Sequence, residues 1–96
     1  MRPSEALPQH RETIRRLVLQ AGMSNPRVFG SVLRGEDEEG SDLDLLVDPA
    51  PRTGLLAMAG LELEIERALG VKVDLLTPES LPLKFRERVL TEAQPV

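Results

Sequence analysis

The chain has 96 residues, too few for a second core, and its 12 Lys and Arg against 16 Asp and Glu leave a formal net charge of −4. That balance argues against broad nucleic-acid binding, and with no Tyr or Trp and only Phe29 and Phe85 there is no base-stacking platform. No apolar run approaches the ~20 residues of a membrane span, the absence of cysteine excludes disulfides and thiolate metal sites, and the charged start lacks a signal-peptide core, so cytoplasmic residence is expected.

In chain order, the first pattern predicts one helix from about Ser4 to Ala21. Leu7, Ile14, Leu17, Val18 and Ala21 fall on one side, with Ser4 as N-cap and Gly22 as the stop. Pro8 is tolerable there only near the first turn, and His10 reads as an exposed helix residue. After the Asn25-Pro26 turn, Arg27 to Phe29 reads as a short strand delivering the chain into Gly30-Ser31. A short helical turn follows through Arg34.

Gly35 to Ser41 is acidic and glycine-bounded, hence a surface loop. Its run Glu36-Asp37-Glu38-Glu39 is expected to be solvated and mobile, because like charges repel. Asp42 to Val47 reads as the second strand, closed by Asp48-Pro49-Ala50-Pro51. Thr53 caps a second long helix reaching Leu69, and Gly70 ends it. Val71 to Leu76 forms the third strand, and a last helix runs from around Pro78–Pro82 to Ala93. Gln94-Pro95-Val96 is expected to fray. Leu81, Leu83, Phe85, Val89 and Leu90 exceed what a small core needs and leave a patch for a partner. The order predicts one domain over residues 1–96 of the α/β (α+β) class, a small sheet with helices packed against it.

Asp42 and Asp44 are separated by one residue of a strand, so they project to the same face. Two adjacent carboxylates repel unless a proton or cation lies between them, and hard divalent ions such as Mg²⁺ take oxygen ligands while keeping positions for phosphates. If the third strand neighbours the second, Asp74 joins them, as a further ligand or as a general base. Gly30 lets the backbone approach a ligand closely, Ser31 adds a hydroxyl donor, and Arg34 could hold a triphosphate by charge-assisted bonds. The plainer readings are a cap for Ser31, a surface ion pair for Arg34, and pairing with Lys72 or Arg34 for Asp74.

With these residues the chain resembles the minimal nucleotidyltransferases (the MNT-type antitoxins) of the DNA-polymerase-β-like superfamily, whose motif is Gly-Ser, ten residues, then Asp-x-Asp. Gly30-Ser31, Val32 to Ser41 and Asp42-Leu43-Asp44 fit it without a gap, Arg34-Gly35-Glu36 and Gly40-Ser41 also match, and Asp74 takes the place of the third carboxylate. The resemblance implies a polymerase-β palm-like fold with a small mixed sheet, and transfer of AMP from ATP to a hydroxyl as pyrophosphate leaves. It implies one or two Mg²⁺ held by Asp42, Asp44 and Asp74, with Gly30, Ser31 and Arg34 binding the nucleotide. It further implies an antitoxin that adenylylates a tyrosine of a HEPN-domain RNase toxin. The chain contains no tyrosine, so the acceptor would come from that partner in a hetero-complex or oligomer. Two alternatives stay open: a binding module that neutralises by occlusion alone, and transfer to a small molecule or RNA end with a second subunit supplying the missing wall.

Overall fold

A computed structural model describes residues 1–96 and resolves five helices and a four-stranded sheet. In order these are α1 (Pro3–Gln9), α2 (Arg11–Gln20), β1 (Ser24–Phe29), α3 (Ser31–Arg34), β2 (Leu43–Asp48), α4 (Leu55–Leu69), β3 (Val73–Leu76), a 3₁₀ turn (Pro78–Ser80), α5 (Leu83–Glu92) and β4 (Gln94–Pro95). The sheet runs β3-β2-β1-β4, with β2 parallel to β3 and β1 antiparallel to both β2 and β4. This is the mixed sheet with packed helices that the sequence predicts.

Alternation along the strands divides the sheet into two faces. Val28, Leu43, Leu45, Val47, Val73 and Leu75 turn to one face and bury against Leu7 of α1, Ile14 and Val18 of α2, and Leu61, Ile65 and Leu69 of α4. Asp44, Leu46, Asp74 and Leu76 turn to the other, which the Gly30 turn, the 3₁₀ turn and α5 overhang. Leu46 and Leu81 are buried outside the main cluster, and no residue of α5 is buried. One face therefore stabilises the fold, and the other is left open.

The first helix departs from expectation. It splits at His10, because Pro8 has no N–H to return to the ladder and the chain closes on a tighter turn, His10 N–H to the Leu7 carbonyl at 3.1 Å. Its N-cap is Arg2, with Pro3 in the first turn, rather than Ser4. The Ser4 N–H is satisfied by Asp37, whose Oδ2 accepts it at 2.9 Å, while Arg2 donates to Oδ1 at 3.3 Å. Asp37 is thus buried and anchors the acidic loop to the start of α1, a correction to the mobile reading of that run. Helix α4 is capped by Gly54, not Thr53.

The C-terminal residues do not fray. Gln94 and Pro95 pair with Val28 and Arg27, the Val96 N–H bonds to the Pro26 carbonyl at 3.0 Å, and the Val96 side chain is buried. At the opposite edge, the outward N–H groups of Val73 and Leu75 donate to Glu66 and Glu62 of α4, each at 2.9 Å. No helix is long and apolar enough to cross a membrane.

Candidate active site

Strand pairing brings the three aspartates to one place. Asp44 and Asp74 are direct partners in the parallel β2–β3 register, and Asp42, expected in the strand, lies just ahead of it, near enough for its charge to act on Asp44. Asp44 is half-buried, whereas Asp42 and Asp74 are exposed. None of the three has an ion-pair partner in the chain, so the pairing of Asp74 with Lys72 or Arg34 does not form. Burial, then the charge of Asp74, then that of Asp42 push the Asp44 carboxyl up to about 6, with Arg34 opposing. The groups line an open ledge and do not close into a three-ligand cage. The donor set nonetheless fits a hard cation: oxygen atoms only, unneutralised charge, and an open side for phosphate or water.

Gly30 fixes the other half. It has φ +77° and ψ −149°, a region reserved almost wholly for glycine, and a Cβ there would overlap the Asp44 carboxylate. The turn after β1 can pass over Asp44 only because residue 30 lacks a side chain. Gly30, not Ser31, holds the cap position of α3, and the Ser31 hydroxyl has no hydrogen-bond partner in the chain. Arg34 closes the turn, its N–H bonding to the Gly30 carbonyl at 3.2 Å, and its guanidinium Nε donates to Glu36 at 2.6 Å. The sequence brings Glu36 into the motif but gives no sign of this contact.

Beside Gly30 and Arg34 opens a cavity of about 250 Å³ beneath α5, walled by Phe29, Leu76, Leu81 and Phe85. The Arg88 guanidinium lies 5.4 Å from the centre of the Phe85 ring. The last helix carries the apolar surplus its sequence suggests, with no residue of it buried. Leu81 turns inward, while Leu83 is 81% exposed and Phe85 and Leu90 are partly covered. The site therefore comprises an acidic ledge, a side-chain-free turn, a hydroxyl and a guanidinium. Such a set can bind a metal–polyphosphate complex, with room for an apolar group alongside.

Known proteins resemble this chain in sequence and fold. Residues 7–96 match the family model for the nucleotidyltransferase domain. The protein adenylyltransferase MntA of Thermococcus cleftensis is 38% identical over 86 residues, 90% of this chain and 84% of the relative. A solved structure of a candidate minimal nucleotidyltransferase superposes with a TM-score of 0.85 at 45% identity, covering 97% of this chain and 95% of that one. A solved complex of a tri-AMPylated Shewanella oneidensis HEPN toxin with an MNT antitoxin matches with a TM-score of 0.70 at 21% identity, over 92% of this chain and 69% of that one. At that identity the likeness speaks for the fold alone.

Proposed function

Because the chain belongs to the nucleotidyltransferase family, we propose that it is a Mg²⁺-dependent protein adenylyltransferase that moves AMP from ATP to a tyrosine of a HEPN-family toxin. It would act in the cytoplasm as the antitoxin of that partner. The observation that supports this reading is the Asp44–Asp74 register beside Gly30-Ser31, which sets paired carboxylates against a side-chain-free turn.

In the reaction, the acceptor oxygen attacks the α-phosphorus, its proton leaves, and the bond to pyrophosphate breaks. Asp42 and Asp44 would hold Mg²⁺, with Asp74 completing the set; when bound, the ion offsets phosphoryl charge and aligns attacking and leaving oxygens. Gly30 leaves the polyphosphate room to approach the backbone. The Ser31 hydroxyl donates to a phosphate oxygen, and Arg34 offers a guanidinium fork to the pyrophosphate end. Asp74, exposed at the ledge, would take the acceptor proton. The acceptor comes from another molecule, since this chain has no tyrosine.

The test is incubation of the chain with labelled ATP, Mg²⁺ and the product of the adjacent gene, the candidate toxin, followed by mass spectrometry for AMP on tyrosine. Modification by the native chain but not by the Asp42→Asn/Asp44→Asn variant supports the reading. An unmodified toxin that both proteins still neutralise would establish occlusion instead.

A further inference from the structure

The Arg34–Glu36 pair sits on a turn whose backbone is fixed at several points. The Arg34 N–H bonds to the Gly30 carbonyl at 3.2 Å, and the Glu36 N–H bonds to the Ser31 carbonyl at 2.8 Å. Gly35 between them has φ +72° and ψ 23°, the left-handed bend that brings residues 34 and 36 back together. Both side chains are more than half exposed, and exposed pairs of this kind add little to folding stability. The contact nevertheless has a specific form. Glu36 Oε1 takes the inner nitrogen, Nε, at 2.6 Å, and the two terminal nitrogens of Arg34 have no partner in the chain. A guanidinium binds phosphate through parallel N–H groups, so its use depends on the plane in which it is held.

We infer that Glu36 is a positioning residue: it sets the plane of the Arg34 guanidinium so that the free fork faces a polyphosphate lying over Gly30-Ser31. This rests on the reading of Arg34 as a nucleotide ligand given above. The role requires an acceptor at Nε and not a negative charge. Glu36→Gln should therefore keep most of it, whereas Glu36→Ala should lose it.

The test uses the full chain and α,β-methylene-ATP, which cannot undergo transfer, with binding followed by calorimetry and folding checked by thermal melts. Arg34→Ala should weaken binding about tenfold, as expected for loss of charge-assisted hydrogen bonds. Glu36→Ala should weaken it severalfold at an unchanged melting temperature, and Glu36→Gln should recover most of the loss. In ATP turnover the defect of Glu36→Ala should fall on KM and leave kcat nearly unchanged. If Arg34→Ala weakens binding and Glu36→Ala does not, positioning is overturned while Arg34 stands as ligand. Tighter binding by Glu36→Ala would make Glu36 a residue that withholds Arg34, also overturning it. If Arg34→Ala binds normally, the ligand reading itself falls. Failure of AMP transfer with normal binding would count against the proposed reaction alone.

Discussion

The Asp44 carboxylate fills the space that any side chain at residue 30 would need. The acidic ledge and the Gly30-Ser31 turn are thereby coupled through one missing Cβ. Gly30→Ala must either move the turn or displace Asp44, and it also forces alanine into a backbone region that costs about 1–3 kcal/mol. Nucleotide transfer should be lost, with a fall in stability of that order. Gly70→Ala is the control: its φ is +73°, but open space surrounds it, so it should cost about 1 kcal/mol and leave transfer intact. Paired urea melts and transfer assays on the two variants check this.

Replacing Asp42 and Asp44 together by Asn should separate chemistry from folding. Loss of the several kcal/mol of charge stabilisation expected from a bound cation corresponds to a rate reduced by roughly 10³-fold or more. The same change removes mutual repulsion at the ledge, so the melting temperature in chelator should equal or exceed that of the native chain. A clear drop in melting temperature would show that the carboxylates serve the fold.

Asp44 also gives stability a signed dependence on pH. Its carboxyl is pushed from 3.8 to about 6 in the folded chain, so between those values the folded state holds a proton that the unfolded state has released. The contribution of this group is therefore greatest at low pH, falls as pH rises through that window, and is level above it. Measured in chelator, the native chain should lose ground against Asp44→Asn as pH rises from about 4 to about 6.5, with a constant gap beyond. Because Asp44 is only half-buried, added salt should narrow the gap. A gap that does not change with pH would contradict the assignment.

Asp37 should behave in the opposite sense. Burial alone would raise its carboxyl, but the Ser4 N–H and side chain and the Arg2 guanidinium outweigh that and hold it below 3.8. Its contribution is present above 3.8 and is lost as pH falls through the lower folded value. Asp37→Ala leaves the Ser4 N–H unsatisfied and should cost about 1–3 kcal/mol. Hydrogen exchange at the Ser4 amide should accelerate ahead of exchange in α4.

The contrast between Asp37 and Asp44 shows what the sequence can disclose. Asp42 and Asp44 are legible because strand alternation is a local rule, and their distance from Gly30-Ser31 is fixed within one strand-turn-strand unit. Asp74 requires only that two strands be neighbours, a condition short connections favour. Asp37 is held by residues 33 and 35 positions away. No rule about charge runs reveals that one member of an acidic run is buried. Gln94-Pro95-Val96 is misjudged for the same reason: a two-residue strand has no periodicity, and its partner β1 lies far back in the chain. The Arg34–Glu36 contact escapes because it depends on the left-handed bend at Gly35.

The two glutamates of α4 that occupy the outer N–H groups of β3 bear on how another protein can be received. A bare strand edge recruits any extended peptide through its backbone, with little regard for identity. Here the N–H donors of that border lie one residue on either side of Asp74, and they are already taken. At this edge a visiting chain finds the N–H donors occupied, which favours recognition by shape and side-chain chemistry on the open face. Selectivity of this kind keeps stray strands from lying across the ledge, as the proposed transfer to one residue of one partner requires.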